Sequence, residues 1–270
     1  GMTNVGRPIE THAITVGQGS DARSIAALVR APAQDERPTC IWLGGYRSDM
    51  TGTKALEMDD LAASLGVGAI RFDYSGHGAS GGAFRDGTIS RWLEEALAVL
   101  DHFKPEKAIL VGSSMGGWIA LRLIQELKAR HDNPTQVSGM VLIAPAPDFT
   151  SDLIEPLLGD RERAELAENG YFEEVSEYSP EPNIFTRALM EDGRANRVMA
   201  GMIDTGCPVH ILQGMADPDV PYQHALKLVE HLPADDVVLT LVRDGDHRLS
   251  RPQDIDRMRN AIRAMIEPRP

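Results

Sequence analysis

Ser114 carries the strongest chemical signal in the chain: in Gly112-Ser113-Ser114-Met115-Gly116 it alone has a glycine two places to either side, completing a G-x-S-x-G pattern. A serine in such a turn is exposed and strained, and side chains larger than hydrogen beside it would collide with the neighbouring strand and helix. The apolar run at residues 108–111 predicts a strand leading into the turn, and Met115-Gly116-Gly117-Trp118 opens a stretch that predicts a helix leaving it. The plainer reading is a Ser-rich loop in which Ser113 or Ser114 only caps that helix. It leaves no purpose for the base and acid found further along the chain.

A serine hydroxyl is a poor nucleophile near neutral pH and needs a base, usually histidine, held in its useful tautomer by a carboxylate. On a sheet with this kind of elbow the chain order is Ser, then acid, then His. His247 is the last of eight histidines and follows the apolar run 237–242 in the turn Arg243-Asp244-Gly245-Asp246-His247. His224 and His231 fall on an expected helix, His210 within an expected strand, and His12, His77, His102 and His131 too early in the chain. For the acid, Gln213-Gly214-Met215-Ala216-Asp217-Pro218-Asp219-Val220-Pro221 offers two aspartates after the run 209–212. Asp217 fits the G-x-x-D-x-x-V-P spacing; Asp219 is its alternative, and Asp148, one strand earlier, is an outside one. Neither H-E-x-x-H nor paired Cys and His spacing is present, so no metal is expected.

Acyl transfer puts negative charge on a carbonyl oxygen, and backbone N–H groups aimed at that oxygen stabilise it. Met115, after the nucleophile, is one expected donor, and Tyr46, in the loop Gly44-Gly45-Tyr46 after the run 40–43, is the other. Gly44 stands where many such loops carry histidine. Gly76-His77-Gly78-Ala79-Ser80-Gly81 is literally G-x-G-x-x-G, but a dinucleotide site needs that turn to open a helix promptly, and Gly82, Phe84 and Gly87 intervene. No nucleotide or other cofactor is expected.

These residues require elements to position them. Residues 9–16 and 24–30 predict a leading hairpin around Gly17-Gln18-Gly19-Ser20. Six short apolar runs follow, at 40–43, 69–72, 108–111, 140–143, 209–212 and 237–242, of the kind buried on both faces of a parallel sheet. Amphipathic stretches at 54–65, 88–103, 115–128, 222–231 and 253–266 predict helices. The alternation predicts an α/β fold, a mostly parallel doubly wound sheet with an N-terminal antiparallel hairpin. Between Ala144 and Val209 lie roughly sixty residues, too many for an ordinary crossover. Residues 155–168 and 183–202 are expected to be helical there. The expected organisation is therefore a core at 1–146 and 207–270 interrupted by a helical lid at 147–206.

Hydrophobic residues make up 42% of the 270, enough for a sizeable core, and no apolar run approaches a membrane span. A net charge of −13 argues against a nucleic-acid partner or an anionic membrane surface. Cys40 and Cys207 suit two free thiols better than a disulfide. Gly1-Met2-Thr3-Asn4 lacks the basic and apolar start of a secretory signal and begins like a tag-removal scar, so a cytoplasmic location is expected.

With these residues placed, the chain resembles the α/β-hydrolase superfamily over nearly its whole length; Asp73-Tyr74-Ser75-Gly76-His77-Gly78 looks like its D-x-x-G-x-G loop. Longer strings resemble the family of the mitochondrial palmitoyl-protein thioesterase that also cleaves mycophenolic acid acyl-glucuronide. They are Gly45-Tyr46, Met50-Thr51-Gly52-Thr53-Lys54-Ala55-Leu56, Ile70-Arg71-Phe72-Asp73-Tyr74-Ser75-Gly76, the elbow from Leu110 to Trp118, and Asp246-His247-Arg248. The resemblance implies esterase or thioesterase activity on a small-molecule acyl substrate, with Ser114, Asp217 and His247 on the family's triad. The lack of a transit-like N-terminus suggests a bacterial relative. Tyr46, Trp118, Phe149 and Phe185 are the candidates for substrate contact. A C–C hydrolase or cofactor-free perhydrolase on the same triad is the enzymatic alternative, and a binding protein that lost its chemistry is the non-enzymatic one, disfavoured by the intact triad.

Overall fold

The computed structural model of the chain describes residues 7–233 and 236–267. The N-terminal residues Gly1 to Asn4 lie outside them. β1 (Glu10–Val16) and β2 (Arg23–Arg30) form the antiparallel hairpin, in register from Glu10 opposite Val29 to Val16 opposite Arg23. The apolar runs become β3 (Thr39–Leu43), β4 (Gly68–Phe72), β5 (Lys107–Ser113) and β6 (Gln136–Ile143). The inserted segment holds β7 (Tyr171–Glu174) and β8 (Asn183–Thr186), and the main sheet resumes with β9 (Val209–Gly214) and β10 (Val237–Val242). The helices are α1 (Thr53–Leu65), α2 (Ile89–Phe103), α3 (Met115–Ala129), α4 (Asp160–Asn169), α5 (Arg187–Ala195), α6 (Tyr222–Glu230) and α7 (Pro252–Ile266).

The eight-stranded sheet runs β1-β2-β4-β3-β5-β6-β9-β10, parallel from β4 onward, with β2 antiparallel to β4. β3 and β4 are buried along their whole length, as strands covered on both faces must be. Side chains of α2, α3 and α6, among them Trp92, Trp118 and Leu228, cover one face; Met58 and Leu61 of α1 and Met258 and Ile262 of α7 cover the other. The chain leaves β3 through α1 towards β4 and leaves β5 through α3 towards β6, on opposite faces. The loops after these two neighbouring strands therefore diverge and open a crevice at their carboxyl ends, where ligands of open α/β sheets bind.

One buried ion pair ties the hairpin to this frame. Arg23 of β2 donates to Glu95 of α2 at 2.8 Å; Glu95 is fully buried and also accepts the Ser75 N–H at 2.7 Å. Glu94 and Asp21 complete the set around the guanidinium. Replacing Glu95 by leucine leaves a buried cation short of a partner and should cost on the order of 3 kcal/mol in a urea unfolding titration. A loss under about 1 kcal/mol would mean that Glu94 and Asp21 hold Arg23 unaided.

The inserted segment departs from the helical lid expected of it. Pro156 and Gly159 break the first helix, so residues 150–157 form a π turn and a 3-10 turn, and regular α-helix runs only over α4. Gly170, at φ 80°, ends α4 and starts β7. The stretch expected as one helix at 183–202 begins as β8, paired antiparallel with β7, and becomes helical only at α5, capped by the Thr186 side chain on the Leu189 N–H. Phe172 and Phe185 face each other across this hairpin. Among the described residues no helix is long and apolar enough to cross a membrane.

Candidate active site

Ser114 stands at the end of β5 with φ 55° and ψ −118°, a strained conformation for a residue with a side chain. The turn is held by its neighbours: the Ser114 N–H donates to the Ile143 carbonyl at 2.9 Å. The close approach of α3 to β3 requires glycine at 116, since a Cβ there would lie 1.9 Å from the Leu43 carbonyl oxygen. The half-buried serine thus faces the crevice, with its Oγ 3.0 Å from His247 Nε2.

His247 and Asp217 arrive from adjacent strands. Gly214, ending β9, packs so closely on the loop after β10 that a Cβ would lie 2.3 Å from the Gly245 carbonyl oxygen. That contact brings the acid loop and the histidine loop together. Asp217 Oδ2 accepts from His247 Nδ1 at 2.7 Å, which leaves the Nε2 lone pair facing Ser114. The other oxygen, Oδ1, accepts the N–H groups of Asp219 at 2.8 Å and Val220 at 2.9 Å, and Gln213 Nε2 approaches Oδ2 at 3.3 Å. With its side chain fully buried, Asp217 is fixed in rotamer and aim. The histidine turn is braced by Lys54 of α1, whose Nζ donates to the Arg248 carbonyl and to Ser250 Oγ. Burial, aided by the Arg248 charge, pulls the Lys54 ammonium down to about 8.

The loop after β3 lies against the elbow, because a Cβ on Gly45 would be 3.4 Å from the Ser114 Cβ. The Met115 N–H is the first of α3 and so has no partner within the helix. Among the described residues the Tyr46 N–H donates to no protein acceptor. Tyr46 is anchored at its other end: its hydroxyl donates to the Ile184 carbonyl at 2.6 Å and accepts the Ile184 N–H at 2.7 Å. Its ring stacks on Phe185 with centroids 5.3 Å apart. Burial raises the Tyr46 phenol above its usual range, which keeps it neutral.

The remaining candidates separate clearly. Asp219 is exposed and its carboxylate accepts from the Tyr178 hydroxyl at 3.2 Å, so it flanks the triad without touching the His247 Nδ1 bond. Asp148 is fully buried elsewhere; its two oxygens accept the N–H groups of Val198 and Met199, each at 2.8 Å, and burial raises its pKa. It clamps the far end of the inserted segment. The expectation that Trp118 touches substrate gives way, because its ring is fully buried and its N–H holds the Asn196 carbonyl at 2.9 Å. Phe149 packs edge-on against Trp118 at 5.4 Å, and it and Phe185 are 9% and 6% exposed, at the boundary between insertion and core. Asp217, Asp219 and His247 bring three ligand atoms within 4.8 Å of one another, but each Asp217 oxygen already accepts two N–H groups. Cys40 and Cys207 are free and buried, and burial pushes their thiols up to about 12 and about 11.

A strand-turn-helix serine after β5, with a buried aspartate after β9 and a histidine after β10 of one parallel sheet, defines a class. The alpha/beta hydrolase family model matches residues 41–258, and the chain belongs to that family. In sequence it is 32% identical over 219 residues to the mitochondrial palmitoyl-protein thioesterase ABHD10 of mouse, spanning 81% of this chain and 71% of that protein. The human protein of the same name is 30% identical over 231 residues, 85% and 73% of the two chains. The solved structure of mouse alpha/beta hydrolase domain-containing protein 10 superposes with a TM-score of 0.83 at 28% identity, covering 96% of this chain and 98% of that one. Est1E from Butyrivibrio proteoclasticus, solved with ferulic acid bound, shares the fold at a TM-score of 0.73 and 20% identity over 94% and 98% of the chains. The protein is a hydrolytic enzyme.

Proposed function

We propose that the enzyme cleaves carboxylic esters or thioesters through an acyl-enzyme on Ser114. The observation that carries this reading is the unbroken chain Ser114 Oγ, His247 Nε2, His247 Nδ1 and Asp217 Oδ2, with contacts of 3.0 and 2.7 Å at its two ends. His247 takes the hydroxyl proton as Oγ attacks the carbonyl carbon, and Asp217 stabilises the imidazolium that forms. The N–H groups of Tyr46 and Met115 then hold the oxyanion. The intermediate collapses, the carbon–oxygen or carbon–sulfur bond breaks, and the leaving group departs as alcohol or thiol with the proton from His247. Water, deprotonated by the same histidine, releases the acid and restores the serine. The name of the ABHD10 relatives supports a thioester among the substrates.

The acyl group is apolar in this reading. The inserted segment lies beside the carboxyl ends of the strands and brings Phe149 and Phe185 to the core boundary, where Tyr46 stacks on Phe185. These three side chains line the acyl side of the crevice and exclude water from it. Each methylene accommodated adds roughly 1 kcal/mol, so a medium-chain thioester should exceed the acetyl one by about tenfold or more in kcat/KM. Phe185→Ala should shift the preferred length while leaving acetyl turnover near its original rate. A panel of oxygen esters and thioesters from two to twelve carbons measures both; a flat profile, unchanged in the variant, would remove the insertion from substrate recognition.

A further inference from the structure

We infer that His77 is a positioning residue for the oxyanion loop: its Nε2 lone pair accepts the Arg47 N–H at 3.0 Å and so sets the direction of the Tyr46 N–H immediately before it. The inference rests on the proposed role of that N–H. Arg47 has φ 58°, an unfavourable conformation for a side-chain-bearing residue, and a loop that turns this way needs something to hold it. Its own first residue offers nothing, because Gly44 has no side chain and a Cβ there would sit 3.1 Å from Ser48 Oγ. His77 provides the hold from the loop after β4. Its Nδ1 lies 3.0 Å from the Ser75 carbonyl, an acceptor only, so Nδ1 carries the hydrogen and Nε2 carries the lone pair. The ring is 4% exposed, set edge-on between Tyr74, Phe84 and Trp92, and cannot turn to another tautomer without losing both contacts. Phe84 also meets Tyr46 edge-on at 5.0 Å, so one aromatic cluster fixes histidine and loop together.

Arg47 is joined on its other side to the insertion, through its guanidinium to the Pro182 carbonyl and the Glu181 carboxylate. That attachment fixes the side chain. His77 holds the Tyr46–Arg47 peptide, and Ser48 holds the Gly45 carbonyl before it through its N–H at 3.2 Å and its Oγ at 2.9 Å. Asparagine at 77 reaches no further than the Nδ1 position and can keep the Ser75 contact but not the one to Arg47, whereas glutamine extends an acceptor to the Nε2 position.

The test compares His77→Asn and His77→Gln for kcat and KM on an octanoyl thioester, and for inhibition by an octyl trifluoromethyl ketone, whose serine adduct places an oxyanion in the hole. Losing an oxyanion donor outright costs about a hundredfold or more in rate, so displacing one should lower kcat by about tenfold or more in His77→Asn. KM should stay within about threefold, the ketone should bind more weakly by the same factor as kcat/KM, and His77→Gln should recover most of the loss. Slow hydrogen exchange at the Arg47 amide of the wild-type enzyme should show the bond without any substitution; exchange at the rate of an unbonded loop amide would overturn the assignment. Unchanged ketone affinity in His77→Asn, or Asn and Gln variants equally impaired, would overturn it too. Turnover by a wild-type enzyme that the ketone fails to inhibit would bring down the oxyanion-hole reading itself.

Discussion

Replacing Ser114 by alanine should lower kcat by about four powers of ten or more, and His247→Ala should be nearly as damaging. The two losses should not add, because the base has nothing to activate once the hydroxyl is gone. Ser113→Ala is the internal control. Ser113 ends β5 in its ordinary place in the ladder, opposite Ile143, and only Ser114 occupies the strained turn that points Oγ at His247. Steady-state hydrolysis of a p-nitrophenyl ester separates them: substantial turnover in Ser113→Ala with none above background in Ser114→Ala is the expected pattern. The opposite ordering would move the nucleophile by one residue.

Asp217→Asn should cost about three to four powers of ten in kcat, against less than about tenfold for Asp219→Asn. The reason is the direction of one hydrogen bond. Asp217 Oδ2 accepts from His247 Nδ1, and an amide NH₂ in that place would favour the tautomer with hydrogen on Nε2, which has no lone pair for the serine proton. Asp219 touches Asp217 through its backbone N–H, which the substitution leaves in place, and among the described residues its carboxylate accepts a hydrogen bond from the exposed Tyr178 hydroxyl and none from His247. Equal losses at 217 and 219 would mean that the buried bond is not the one that orients the histidine.

The sheet and its covering helices could be read from the sequence because each strand is a short apolar run and each helix repeats its apolar residues at helical spacing. The same holds for the elbow, whose glycines are there for steric reasons visible in the motif: α3 crosses β3 where only hydrogen fits at position 116. Asp217 and His247 follow β9 and β10 at the loop positions where the chain order puts acid and base, and their side chains meet there. The insertion was harder. Its strands are four residues long, and their pairing joins positions that local periodicity cannot connect. Proline and glycine marked its breaks without revealing what lay between them. Trp118 illustrates a different limit, since an aromatic next to a nucleophile reads equally as pocket wall or core; the Asn196 carbonyl that captures its N–H is 78 residues away. Asp148 and His77 are long-range contacts of the same kind. Asp148 stands after β6, where position alone makes it a candidate acid, yet its partners are backbone groups at Val198 and Met199.

The central claim, a covalent acyl group on Ser114, is tested most directly by trapping it. Wild-type enzyme mixed with excess octanoyl thioester, quenched in acid within the first turnovers and digested, should yield the peptide spanning the elbow with an octanoyl group on Ser114. Thiol should be released in a burst that matches the fraction acylated. Thiol release at the full steady rate from the first turnover, with the acyl group on no residue or on a residue other than Ser114, would contradict the account.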